Sequence, residues 1–377
     1  MIACLVIAAI LAAAAVYPFV VYPAVLRALP AVPPVSRGGA RSAEGAEFCL
    51  VFSAYNESRS LVDKLENLEK LVDRYPLLEV RAYDDGSSDG TLDMLCASAA
   101  LASVTSGEGR RGKAHGMKEI VSLTSRPIVV CTDANVLLDG EIFDELAALF
   151  SEEAVGGVCG HLEYLASSGS ATEAVGGLYW RLEERIKSLE SSSGNVMGGD
   201  GSIFAVRREL YPEFPDSVQD DFFVTMSVVF SGRRLVYAPS VRAYERLVSA
   251  SSDEFARKIR IAARAYHTYR SFRSSVRSMS RFDRWKFFSH KLLRWWSGAL
   301  ICASALLVAA AIAPHSWFAA VALLIFGGML LAPSGRWVPR YVRAVSEMLR
   351  SLVASSFGSL KAAFGATYVT WSPPTSR

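Results

Sequence analysis

Two stretches of this chain carry no charged side chain: residues 1–26, uninterrupted until Arg27, and a block at 295–332 broken only by Ala313, Pro314, His315 and Ser316. A helix rises about 1.5 Å per residue, so roughly 20 apolar residues cross the ~30 Å hydrocarbon layer of a bilayer. The first stretch is long enough to span, and the second reads as a hairpin of two spans, 295–314 and 316–332. Whatever polar unit the chain builds must fold between them. The hydrophobic share of 51% and mean hydropathy of +0.25 agree, being high for a soluble protein. A cleaved signal peptide needs a basic start and a shorter apolar core, and residues 1–26 offer neither. Arg27 and Arg37 follow the first span, Lys286, Lys291 and Arg294 precede the second, and Arg336, Arg340 and Arg343 follow the third. By the positive-inside rule, 28–294 and the C-terminus face the cytoplasm of a multi-pass protein of an inner or plasma membrane.

Around these spans the chain divides into an N-terminal transmembrane helix (1–27), a Pro/Gly/Ser-containing linker (28–46), a globular domain (47–275), an interface helix (276–294), the hairpin (295–333) and an amphipathic C-terminal segment (334–377). In RFDRWKFFSHKLLRWW (281–296) aromatic and aliphatic groups alternate with Lys and Arg at helical spacing. Val345, Met348, Leu349, Leu352, Val353, Phe357, Leu360 and Phe364 form a second apolar stripe, which suits a helix in the headgroup layer or one in a soluble core. Trp295 and Trp296 read as interface anchors. The net charge of +3 leaves no footprint for nucleic acid, and the six scattered cysteines lack metal-ligand spacing.

Within the globular part, short apolar runs alternate with amphipathic helical ones, the pattern of an open α/β sheet. Strands are expected at 48–52, 78–83, 127–132, 155–161 and 203–207, and helices at 60–74 and 91–99. Ligands of such sheets sit beyond the carboxyl ends of the strands. Polar clusters fall at those ends: SAYNE (53–57), YDDGSSDGT (83–91) and TDAN (132–135), with GRRGKAHG (109–116) between them. In the second cluster Gly86 suits a tight turn, and Ser87, Ser88 or Asp89 can cap the next helix. Capping leaves the adjacent pair Asp84 and Asp85 unexplained. Backbone N–H groups near Gly112 favour phosphate, and Lys113 adds a positive charge. Asp133 and Asn135, two residues apart in an extended segment, offer oxygen ligands to a hard cation such as Mg²⁺ shared with a diphosphate. Asp220 and Asp221 fit either the first turn of a helix or chemistry, and the basic run 257–264 either a solvated helix face or a lipid contact. His115 and His161, without partners at ligand spacing, read as satisfied polar residues.

In this order the clusters resemble a membrane-bound family 2 glycosyltransferase over residues 46–270 and into the hairpin. The resemblance implies a Rossmann-like, nucleotide-sugar-binding α/β domain of the GT-A type, inverting sugar transfer, and Mg²⁺ or Mn²⁺ as cofactor. It implies that Ala54, Tyr55 and Glu57 belong to the opening nucleotide-binding motif, that Asp84 and Asp85 contact a uridine, and that Asp133 with Asn135 occupies the metal-binding Asp-x-Asp position. GGDGSIFAVRR (198–208) is similar to the acceptor-side segment, which puts Gly199, Asp200 and Gly201 beside the acceptor. QDDF (219–222) stands where the family places its base, making Asp221 the expected base with Asp220 in support. In FARKIRI (255–261) Arg260 matches the arginine of the Gln-x-x-Arg-Trp element and is expected to meet the departing diphosphate, with Arg257 on the acceptor side in place of Gln. The Trp of that element is missing, which points to adding one or a few sugars to a lipid-linked or glycan acceptor.

The expected partners are a nucleotide sugar (UDP by default), that acceptor, membrane lipids and other polysaccharide-export proteins. Two alternatives remain open. One is a catalytically idle nucleotide-sugar-binding subunit of an export complex, which would not need Asp221. The other is an enzyme that makes nucleotide sugars, which would need neither the hairpin nor QDDF.

Overall fold

The computed structural model describes residues 1–33, 35, 46–165, 171–246, 252–332 and 338–368. Residues 36–45 of the expected linker, Arg37 and Arg336 among the basic flanks, and the tail 369–377 lie outside them. An eight-stranded sheet runs in the order β3-β2-β1-β4-β7-β6-β8-β5. The strands are β1 (Phe48–Ala54), β2 (Glu79–Asp84), β3 (Ser103–Ser106), β4 (Ile128–Thr132), β5 (Val136–Leu138), β6 (Val155–Leu165), β7 (Ile203–Arg207) and β8 (Arg234–Arg246). The strands expected from sequence fall within a residue or two, except that β6 runs on to Leu165.

β1 pairs in parallel with β2 on one side and β4 on the other, and β7 inserts antiparallel between β4 and β6. Residues 48–52 and 128–132 are buried throughout, because a central strand covered on both faces must be apolar on both. Among the described residues fourteen α-helices surround or extend the sheet: α1 (Ile2–Val16), α2 (Val21–Ala28), α3 (Ser58–Arg74), α4 (Thr91–Ala97), α5 (Lys113–Ser122), α6 (Ile142–Phe150), α7 (Ala171–Ser192), α8 (Asp220–Phe230), α9 (Ser252–Ser271), α10 (Arg273–Ser278), α11 (Arg281–Phe287), α12 (Leu293–Ile312), α13 (Trp317–Leu331) and α14 (Arg340–Ala363). Leu61, Leu68 and Leu71 of α3 and Leu146 of α6 fill the core on one face of the sheet. Met117 and Ile120 of α5 and Val224 and Val228 of α8 fill the other. β1 thus continues to β2 on one side while β4 flanks it on the other, so the crevice beyond their carboxyl ends lies at a reversal of strand order.

The apolar segments depart from the sequence reading in three ways. The N-terminal stretch is not one straight helix but α1 and α2, bent by 57°. Pro18, which has no N–H to donate, falls in the break, and Tyr22 of α2 donates to Glu190 of α7 at 2.5 Å, turning α2 towards the sheet domain. Next, the expected boundary at 294/295 is no helix end, since α11 and α12 are joined by a π-helical turn, Phe288–Leu292, into one helix, Arg281–Ile312. Finally, α13 has 15 residues, short of a full crossing. Among the described residues one helix is long and apolar enough to cross a membrane, or two if the bent pair counts as a single span.

α1 lies along α12, where Ser304 Oγ donates to the Ala8 carbonyl at 2.9 Å. α14 crosses α12 and α9 at backbone contact: a Cβ on Gly298 would meet Leu352 O at 2.3 Å, and one on Gly358 would meet Ile259 O at 2.2 Å. The side of α14 turned inward is therefore small, with Ala354, Gly358, Ser359 and Ala362 buried. Of its apolar stripe Leu352 is buried, whereas Val345, Met348, Phe357, Leu360 and Phe364 are exposed. That distribution is the reverse of a soluble core helix.

Candidate active site

The turn after β1 and the turn after β2 are knotted together. Asn56, at φ 51°, accepts the Ser88 N–H on its side-chain oxygen at 2.8 Å and donates its own N–H to Ser87 Oγ at 3.0 Å. Glu57 N–H donates to Thr91 Oγ1 at 2.9 Å, and Ser58 N–H to Asp89 Oδ2 at 3.1 Å. The Ser, Asp and Thr of YDDGSSDGT thus join two loops as well as turning one. The aspartate pair also builds the rim. Asp84 Oδ2 accepts the Gly86 and Ser87 N–H groups, both at 3.1 Å. Asp85 Oδ1 accepts those of Arg111 and Gly112, both at 2.8 Å, drawing the 109–112 turn to the end of β2. Arg110 then lies 3.6 Å from the centre of the Tyr55 ring, a flat stacked surface at the rim. Ala54 is buried and its carbonyl receives the Asp85 N–H. Glu57, expected at the nucleotide, is buried and accepts from Ser60 Oγ in the first turn of α3 at 2.6 Å.

Beyond the ends of β4 and the start of β7, acidic groups from distant stretches converge on one lysine. Lys113, at the first position of α5, donates to Asp133 Oδ1 at 2.6 Å and lies 3.7 Å from Asp220 Oδ2. Gly201 is the hub: a Cβ there would lie 3.0 Å from Lys113 Nζ, 3.2 Å from Asp221 Oδ2 and 3.4 Å from Asp133 Oδ2. Its missing side chain leaves a gap with three charged groups at its edge. Burial disfavours the Lys113 charge, but Asp133, Asp220 and Asp221 outweigh it and hold the ammonium firmly protonated. The Asp221 carboxyl is pushed up to about 7, first by burial and then by the charge of Asp220, with Lys113 pulling the other way.

The segment leading into Asp220 is clamped from both sides. Asp216 pairs with Lys118 at 2.8 Å and His115 at 3.3 Å on α5. On α9, Thr268 Oγ1 accepts the Gln219 N–H at 2.8 Å, Arg264 donates to the Val218 carbonyl at 2.8 Å, and His267 Nε2 meets Ser217 Oγ at 2.9 Å. Behind Asp221, Phe222 stacks on Phe287 (6.2 Å between centroids) and meets Phe272 and Trp295 edge-on at 5.3 and 6.1 Å. Trp295, expected as an interface anchor, is part of this aromatic cluster because the π-helical turn carries α12 past α8.

Of the residues singled out from sequence, the structure gathers Lys113, Asp133, Gly201, Asp220 and Asp221 around one gap, with Gly112 next to it in the chain. Gly199 fits against Cys159 and Thr225. Asp200 is already engaged: Lys187 binds its Oδ2 at 2.8 Å, and Ser202 donates to its Oδ1. Arg257 and Arg260 stand on α9 in line with Arg264, and the Arg260 guanidinium is lowered by burial and by those two neighbours. His115 and His161 have polar partners as expected, His161 with Glu184 and Tyr237. Arg264 was read only as part of the basic run, as a solvated or lipid-facing residue, and His267 and Thr268 were missed. All three act across about fifty residues of chain.

Asp133, at the gap, suits a hard divalent cation, with Asn135 two residues on in the chain. Asp133 is a carboxylate with 38% of its side chain exposed, and Asn135 gives its Nδ2 to Glu245 at 2.7 Å, which leaves its carbonyl oxygen as the acceptor. Among the described residues no group of three or more His, Cys, Asp or Glu side chains could hold a metal. An ion here would draw its remaining ligands from water and a diphosphate, as Mg²⁺ commonly does.

A family model described as "Glycosyltransferase like family 2" matches residues 46–296. No curated protein sequence matches the chain. Among solved structures, mannosyltransferase PcManGT from Pyrobaculum calidifontis, in complex with GDP-Man and Mn²⁺, superposes with a TM-score of 0.74 at 21% identity, covering 95% of this chain and 99% of that one. Mannosyl-3-phosphoglycerate synthase from Rubrobacter xylanophilus superposes at 0.42 with 17% identity, over 69% of this chain and 83% of the other. Glucosyl-3-phosphoglycerate synthase from Mycobacterium tuberculosis does so at 0.40 with 20% identity, over 62% and 81%.

Proposed function

Because this chain belongs to glycosyltransferase family 2 and has the GT-A fold, we propose that it transfers a sugar, with inversion, from a nucleoside-diphosphate sugar to a hydroxyl of a lipid-linked or glycan acceptor at a membrane surface. The observation that carries this is the convergence at Gly201, where Lys113, Asp221 and Asp133 from three separate stretches come within 3.0–3.4 Å of where a Cβ would stand.

Each residue has a task in that reaction. Asp221 accepts the proton of the acceptor hydroxyl, and a carboxyl shifted to about 7 is a far better base than an ordinary aspartate while still ionising near neutral pH. Asp220 supports that shift by its proximity. Tyr55 and Arg110 give the nucleobase a flat face, and Asp85, by holding the Arg111 and Gly112 N–H groups, fixes the turn that sets Lys113 at the start of α5, where its ammonium meets the diphosphate. A divalent cation on Asp133 and Asn135, Mn²⁺ or Mg²⁺, would supply electrostatic stabilisation of the leaving nucleoside diphosphate. Arg260 and Arg257 serve the diphosphate and acceptor from α9. Clamping of 216–219 by α5 and α9 keeps Asp221 in line with the anomeric carbon, where orientation supplies much of the rate.

The same proposal extends to location. The exposed apolar side chains of α1, α13 and α14, together with Arg281–Ile312, favour a membrane-held, multi-pass protein with its sheet domain on the cytoplasmic side, and the boundaries at 27, 46, 275, 294 and 333 are its working divisions. Trp295 of α12 packs on Phe222, next in sequence to Asp221, which supports an acceptor delivered from the bilayer. The test is incubation of the purified full chain in lipid with Mn²⁺ and a panel of labelled UDP- and GDP-sugars, beside Asp221→Asn. Sugar transfer by the wild type alone is expected. No product and no nucleotide release from any donor would favour the idle, binding-only subunit.

A further inference from the structure

Lys113 has two seats. Its ammonium is hydrogen-bonded to Asp133 at 2.6 Å, and 3.7 Å away lies Asp220 Oδ2, an oxygen that is buried with no hydrogen-bond partner among the described residues. A buried carboxylate oxygen left unpaired is costly, and Asp220 as a whole is only 3% exposed. A shift of about one ångström would bring Lys113 into a hydrogen bond there, at the N–H···O distances such bonds adopt. Gly201 puts no side chain beside Nζ and Asp133 Oδ2, where a Cβ would already press at 3.0 and 3.4 Å.

We propose that Lys113 is a gate on the metal site: it covers Asp133 while the site is empty and moves to Asp220 and the incoming diphosphate, so that cation and nucleotide load together. The inference rests on the metal role proposed for Asp133. A dication and an ammonium on the same carboxylate repel each other. A nucleoside diphosphate supplies the negative charge that tolerates both, and Asp220 supplies the second seat. The wild-type protein should therefore hold Mn²⁺ poorly alone and well with nucleotide.

Electron paramagnetic resonance of free Mn²⁺, titrated into the full chain in detergent with no nucleotide, with UDP and with GDP, reads this directly and needs no turnover. Lys113→Met should bind Mn²⁺ without nucleotide about ten-fold or more tighter than wild type, the scale of an ordinary coupling between sites. Lys113→Arg, which keeps a cation on Asp133, should stay at the wild-type level. In an Asp133→Asn background the gain from Lys113→Met should vanish. A thermal melt of each variant establishes that it is folded. Nucleotide-free affinity of folded Lys113→Met equal to or below wild type overturns the gate, as does a gain that persists without Asp133. If nucleotide-promoted binding is normal in those cases, only the gate is lost. Absence of Mn²⁺ binding to wild type with either nucleotide overturns the gate and the metal role of Asp133 alike.

Discussion

Gln219 donates its backbone N–H to Thr268 Oγ1 at 2.8 Å, so the residue two places before Asp221 is fixed by a side chain half a hundred residues later. Replacing Thr268 by Val keeps the shape and leaves that N–H unpaired, a loss of about 1–3 kcal/mol for a buried group. The expected result is a fall in kcat of about ten-fold with the donor KM nearly unchanged. Steady-state kinetics check this; an unchanged kcat would remove α9 from the positioning of Asp221.

With Asp221 as the proposed base, its shift sets the expected pH dependence. A base must be unprotonated to act, and burial together with Asp220 has moved this carboxyl to about 7. The logarithm of kcat/KM should rise with unit slope below that pH and level off above it. Asp221→Asn should abolish the limb and lower kcat by about a thousand-fold, within the range attributed to general-base catalysis, while nucleotide affinity persists. A limb centred near 4 would show a base in an ordinary carboxylate environment.

The same shift has a sign for stability. A carboxyl whose folded value lies above its unfolded one of about 3.9 binds more protons when folded, so between roughly pH 4 and 7 stability falls as pH rises. Asp221 is a destabilising charge above pH 7, and Asp221→Asn removes it. The variant should melt at a higher temperature than wild type at pH 8, by on the order of 1 kcal/mol or more in stability, with the gap narrowing towards pH 5. Melts across pH read this, and equal melting temperatures at pH 8 would contradict the buried charge.

Gly201 tests the gap itself. A methyl group there would sit 3.0 Å from Lys113 Nζ and 3.2 Å from Asp221 Oδ2, close enough to force both aside and to occupy the space between them. The neighbours must give by a few tenths of an ångström, so Gly201→Ala should lose roughly ten-fold in transfer, a part of the ~100-fold that a misplacement of about 1 Å costs. Its melting temperature should shift little, because a lysine end and a carboxylate can yield. Retained transfer would mean that the reacting atoms sit elsewhere.

Much of the sheet was legible because central strands must be apolar on both faces. Residues 48–52 and 203–207 are short apolar runs of strand length, and the polar clusters behind the parallel strands mark the rim. The meeting of Asp133, Gly201 and Asp221 follows from β7 pairing antiparallel with β4, in a register that sets Ile203 beside Thr132. A linear sequence does not state that register. The double duty of Asp84 and Asp85 as loop builders was half visible in the turn chemistry around them. The hold of Asp85 on the 109–112 turn was not, because backbone donors leave no mark in residue type. The break in the N-terminal stretch was announced by Pro18, but an uninterrupted apolar run outweighed a single proline. The small inward side of α14 was hidden because an apolar stripe says which residues avoid water, not whether protein or lipid covers them.

Phe222, next in sequence to Asp221, is wedged among Phe272, Phe287 and Trp295. A fragment trimmed before Arg281 to gain solubility would strip away two of those three rings and expose the wall behind the base. The apolar C-terminal helices are thus part of the enzyme's chassis, and biochemistry on this protein calls for every helix present.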